Sequence, residues 1–136
     1  MVLSKDDILK ADDLKRAEVD CPEWGGSVLV RELTARERDK HEGEVLFAAR
    51  QASTGEDPDT YLENINARIA ALGIIDENGQ RLFSQPTDVL ALGEKGSSVV
   101  TRIADKIGEL SGMSEPAQAE IKGNSGAVPS DGSASE

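Results

Sequence analysis

The side chains best suited to chemistry are few: one cysteine, Cys21, and one histidine, His41. A nucleophilic site needs an attacking group with a base in reach. Cys21 stands beside Pro22 at the end of a strand-like run with no activating base near it in sequence, and reads as a small buried apolar residue. His41 lies in the charge-dense run "RERDKHEGE", residues 36–44, and reads as an exposed residue on a solvated helix. One cysteine allows no internal disulfide, and Cys21 with His41 cannot complete a zinc site.

Three stretches have some of the character of ligand loops. "DENG" at 76–79 is rich in acid and glycine, as calcium loops are. Its glycine falls at the fourth position instead of the sixth, and Thr87 stands where the twelfth-position glutamate belongs. "GEKGSS" at 93–98 has the lysine before the glycine, the reverse of a phosphate loop, and reads as a loop and helix cap. The pairs Asp6-Asp7 and Asp12-Asp13 suit the positive end of a helix dipole without any metal. The residues therefore imply no catalytic, cofactor or metal site, and a binding or assembly role. A net charge of −11 repels phosphate backbones and anionic lipid, which argues against nucleic-acid and membrane partners. The opening "MVLSKDDILK" lacks a signal-peptide apolar stretch, and no apolar run approaches about 18 residues, so an intracellular soluble protein is expected.

The elements that must carry such a role are marked by local signals. Ser4 caps a short helix with Asp6 and Asp7 in its first turn. "LKRAEVDC" at 14–21 and "SVLVREL" at 27–33, joined by "PEWGG", predict a β-hairpin. Thr34 with Glu37 is a capping box that opens a helix over 35–53. The first half of that helix is charged, with i,i+4 pairs Arg38–Glu42 and Lys40–Glu44, and should project into solvent. Its second half, with Val45, Leu46, Ala48, Ala49 and Ala52, should anchor in the core. Asp57-Pro58 predicts a helix over 58–72, with Leu62, Ile65, Ile69 and Leu72 on one face, ended by Gly73. "IIDENGQRLF" at 74–83 predicts a small second hairpin turning at Asn78-Gly79. A short helix over 86–92 and a last one over 97–111, striped by Val99 or Val100, Ile103, Ile107 and Leu110, complete the order.

The fold class is therefore α+β and helix-dominant: an N-terminal hairpin, a small second hairpin, three to four packed helices and a tail. Residues 1–112 read as one domain. Residues 113–136 are a Gly/Ser-rich acidic tail with too little apolar surface to offset an ordering entropy of about 1–2 kcal/mol per residue, and are expected to be disordered.

The chain resembles the tail assembly chaperones of long, non-contractile-tailed bacteriophages. The resemblance lies in "SKDDILKADDLK", "PEWGGSVLVRELTARERD", "NARIAALGIIDENGQRLF" and "ALGEKGSSVVTRIADKIGELSGMSE", in the family's order over about residues 3–115. It implies a non-enzymatic protein of the host cytoplasm, absent from the mature virion. Such a protein binds the tape measure protein, keeps it soluble and supports polymerisation of the tail tube around it. The resemblance also implies two products, the longer made by a −1 ribosomal slip and recruiting the major tail protein. Lys122-Gly123-Asn124 is compatible with a slip heptamer of the type G-GGA-AAC, and lies within the flexible stretch. The alternative within phage morphogenesis is a permanent virion part, a head–tail connector or tail terminator.

For helix-in-groove capture the candidate partner contacts are Trp24, Ile103, Ile107 and Leu110. For any one apolar face of a small domain, the domain's own core is the stronger reading of such a stripe. The Leu62–Ile69 face and the helix around Arg36–Glu44 are further candidates, and self-association along a long partner is expected.

Overall fold

The computed structural model describes residues 1–53, 55 and 63–113. It is an α+β fold dominated by helix. In chain order the elements are α1 (Lys5–Lys10), β1 (Arg16–Cys21), a 3₁₀ turn (Pro22–Trp24), β2 (Gly26–Arg31), α2 (Ala35–Ser53), α3 (Ile65–Gly73), β3 (Ile74–Ile75), α4 (Pro86–Gly93) and α5 (Ser97–Leu110).

The hairpin forms where proline and paired glycines predict it. Gly25 turns the chain at φ 83°, and β1 pairs antiparallel with β2 in the register Ala17–Val30, Val19–Val28 and Cys21–Gly26. Ala17, Val19 and Cys21 alternate inward, as a half-buried strand must. The second hairpin is present, but its turn differs from the expected two-residue Asn78-Gly79 form. Asp76 and Gly79 close a four-residue turn, with Gly79 in the left-handed region at φ 87°. The Asp76 carboxylate accepts the Asn78 and Gln80 N–H groups at 2.8 and 3.0 Å, an Asx-type turn. Its first strand, β3, also pairs with β2 through Leu29–Ile75 and Val30–Ile74, giving a three-stranded antiparallel sheet in the order β1-β2-β3.

The starts of α1 and α2 follow their caps. Ser4 and Asp7 exchange hydrogen bonds at 3.1 Å, as do Thr34 and Glu37 at 2.9 and 3.2 Å. α5 ends in a Schellman motif: the Met113 N–H donates to the Gly108 carbonyl and the Gly112 N–H to Glu109, with Gly112 at φ 73°. α3 begins at Ile65, later than the expected start at 58. Asn64 precedes it in the left-handed conformation at φ 63°. The expected cap Asp57-Pro58 and the face residue Leu62 lie outside the described residues.

The core is a layer between the sheet and α3, α4 and α5. α5 crosses α3 and rests on β1 and β2, while α4 packs on α3. Val30, Ala70, Ile74, Ile103 and Ile107 are its fully buried centre. Gly73 allows the closest approach: a Cβ there would fall 2.7 Å from Ile107 Cγ1 and nearer still to Cδ1. Ile107 is itself buried on all sides, so it has no room to yield. Gly73→Ala is therefore expected to cost about 1–3 kcal/mol by overpacking, read as a lowered urea midpoint at unchanged m-value.

The two halves of α2 exchange the roles expected of them. The charged half is the anchored one. Arg31, 8% exposed, donates to both Glu37 oxygens at 2.9 and 3.2 Å. Arg38 donates to the Ser111 carbonyl at 3.0 Å, and Glu44 reaches Arg68 of α3 at 3.3 Å. In the second half Ala48 is buried, but Val45, Leu46 and Phe47 are exposed. The physical reason is that neighbouring elements offer the first half ionic partners that cannot be seen along the helix itself. The Arg38–Glu42 pair forms at 3.5 Å, whereas Glu44 bridges to Arg68 and not to Lys40.

Candidate protein-interaction surface

The residues considered for catalysis stay apart. Cys21 is fully buried, with its Sγ against the Val19 carbonyl at 3.6 Å. Burial raises its pKa, with Arg102 working the other way, so the thiol stays protonated at neutral pH. His41 is half-buried and not exposed as the charged run around it suggests. Burial, and then the nearby Arg68 charge, lower its pKa below the ordinary histidine value, so it is neutral at pH 7. Among the described residues no group of three or more His, Cys, Asp or Glu side chains is placed to hold a metal ion. No helix among them is long and apolar enough to cross a membrane.

The candidate partner contacts separate into two kinds. Ile103 and Ile107 are 0% exposed and form the middle of the core, and Leu110 packs on its edge. In this fold the α5 stripe is turned to α3 and the sheet, so no partner can reach Ile103 or Ile107 while the helix is seated. Trp24 is half-buried against the same core, with the Lys95 ammonium 5.9 Å above its ring. The tip that carries it is clamped to α5. Arg102 donates to both Glu23 oxygens at 3.0 and 2.7 Å and to the Asp20 carbonyl at 3.1 Å. Those bonds hold the Glu23 carboxyl down to about 2. Lys122, Gly123 and Asn124 lie outside the described residues.

Two surface features remain. The first is the apolar side of the second half of α2, with Leu46 and Phe47 about half exposed. The second is a cleft of about 270 Å³ in which α2, α3, the second hairpin and α4 converge. Four cations line it, Arg36, Lys40, Arg68 and Arg81, against two carboxylates, Glu37 and Glu44. Both carboxylates are engaged, with Arg31 and Arg68 respectively. The charged run on α2 was legible as a contact region. Its convergence with Arg68 and Arg81 was not, because they lie 24 or more positions along the chain with no motif to join them.

No protein-family model matches the chain, and no curated protein sequence does. Among solved structures, the fold is similar to that of the bacteriophage HK97 tail assembly chaperone. The likeness covers 74% of this chain and 85% of that one, with a TM-score of 0.53 and 18% sequence identity.

Proposed function

We propose that the chain is a phage tail assembly chaperone that binds the tape measure protein, keeps that long helical chain soluble, and supports polymerisation of the tail tube protein around it. The observation that carries this reading is the shared fold with the HK97 chaperone over most of both chains. It is supported by the sequence resemblance that runs in the same order through the hairpin, the two middle elements and the last helix. A buried thiol and a neutral, half-buried histidine suit a binding role. The reading places the protein in the host cytoplasm and outside the mature virion. It also includes self-association along the partner and a longer product, made by a −1 slip near Lys122-Gly123-Asn124, that recruits the major tail protein.

The test begins with translation. The native gene is expressed with its downstream sequence and an N-terminal tag, and the products are weighed by intact mass spectrometry. A second, longer species that shares the sequence to about Asn124 is expected. The tagged protein is then co-expressed with a tape measure protein of the same phage, and should carry that protein into the soluble fraction. A single product removes the frameshift element alone. Failure to solubilise or co-purify the tape measure protein, together with presence of the chain in purified virions, overturns the chaperone reading in favour of a connector or terminator.

A further inference from the structure

We propose that the cleft between α2 and α3 is a docking site for a short acidic peptide segment of a partner protein, one that carries an aliphatic residue next to its carboxylates. The inference rests on reading the chain as a protein-binding chaperone and assigns the chemistry of one contact.

The first argument is charge. Arg36, Lys40 and Arg81 line the cleft, and none of them pairs with a carboxylate among the described residues. Arg81 is held in place by the Ala71 and Phe83 carbonyls at 3.2 and 2.8 Å, which orient its guanidinium without neutralising it. The wall's own acids are occupied, so they do not compete for these cations. In a chain of net charge −11, a locally positive cleft selects sharply. A large acidic partner is repelled by the rest of the surface, whereas a short acidic segment reaches the cations alone.

The second argument is local cost. Arg36 and Lys40 stand four apart on α2, a repulsive spacing, and Arg36 sits in the first turn, where the helix dipole disfavours a cation. A bound carboxylate relieves both. Guanidinium groups also offer the paired N–H donors that match a carboxylate.

The third argument is the floor. Ala71, Leu72 and Val89 close the cleft with apolar atoms. Neutral His41 adds a hydrogen-bonding edge and no further charge. A site with a cationic rim and an aliphatic floor fits Glu or Asp beside Leu or Ile, and not a free inorganic anion.

The experiment titrates the intact ¹⁵N-labelled chain with the peptide Ac-EALEELEALE-NH2, followed by amide chemical shifts. Saturable shifts are expected at residues 36–44, 68–72 and 81–89. Affinity should fall about tenfold between about 50 mM and about 300 mM salt. Arg36 and Lys40 are exposed and mutually repulsive, so the Arg36→Gln/Lys40→Gln variant keeps its fold with a melting temperature no lower than wild type, and should bind the peptide about tenfold more weakly. Equal binding of a peptide with every Glu replaced by Gln would overturn the proposal, as would shifts confined to other surfaces or no saturable shift. Changes at residues 114–136 in the variant without peptide would assign the cleft to the chain's own acidic end and also overturn it. Capture of the tape measure protein can succeed while the peptide fails, so the cleft and the chaperone reading fall separately.

Discussion

Replacing Ile107 with alanine is expected to destabilise the fold by about 2–5 kcal/mol, and Ile103→Ala by a similar amount. Both side chains are 0% exposed. Both lie on the face of α5 that crosses α3 and rests on the sheet. Truncation removes buried methyl and methylene groups and leaves a cavity that the neighbours cannot fill. Gly73 and the backbone of α3 lie directly against Ile107 and are themselves fixed by the helix. Urea unfolding of the intact chain reads the loss as a lowered midpoint. Leu46→Ala, on the exposed side of α2, is the matched control and should change stability by less than about 0.5 kcal/mol. The comparison decides between the two sequence-level readings of the α5 stripe. If Ile107→Ala keeps wild-type stability, the stripe is not core and the packing described above is wrong.

Glu37→Ala is expected to cost about 3–5 kcal/mol, because it strips the partner from a nearly buried arginine. The side chains of Arg31 and Glu37 are each 10% exposed. The Glu37 carboxylate accepts three hydrogen bonds at once: two from Arg31, and one from the Thr34 N–H to Oε1 at 2.9 Å, which closes the capping box. Its loss leaves the Arg31 charge, among the described residues, with the Glu32 carbonyl at 2.8 Å and no carboxylate, and opens the start of α2. The pH dependence follows from the same contacts. Burial raises the Glu37 pKa, but the bonds from Arg31 and Thr34 outweigh it, so the net shift is downward from the ordinary value of 4.5. A lowered folded-state pKa contributes stability that is fully present above the unfolded value, and is lost as pH falls through the folded one. Unfolding free energies measured from pH 7 downward should therefore drop below about pH 4.5 more steeply in the wild type than in Glu37→Ala. Parallel curves would show that the pair does not couple to the fold.

Both residues show how far the chain could be read in advance. Glu37 was legible as a cap because Thr34 and Glu37 carry that signal in four residues. Its second bond, to Arg31, was not legible, since an arginine at a strand end has no motif that assigns it a partner. Ile107 was legible as part of an apolar stripe. Whether the stripe faces inward depends on α3 and the sheet, which are set by other parts of the chain. The reversed α2 is the sharpest case. Charge along "RERDKHEGE" suggests solvent, and "VLFAA" suggests core. Yet Arg31 of the preceding strand, Arg68 of α3 and the Ser111 carbonyl just past α5 all reach the charged half.

By itself the sequence determined the elements and their order, since caps, turn glycines and apolar periodicity act over a few residues and need no neighbour. Ser4, Thr34, Gly25 and Gly112 all mark their boundaries this way. It also determined the acidity that makes any positive cleft selective. Only the tertiary structure decided which faces are core, that β3 joins the first hairpin, and that Arg36, Lys40, Arg68 and Arg81 meet in one cleft. The physical reason is range. Hydrogen bonds within a turn are written locally, whereas burial and charge pairing depend on which surfaces the folded chain brings within a few ångströms of each other.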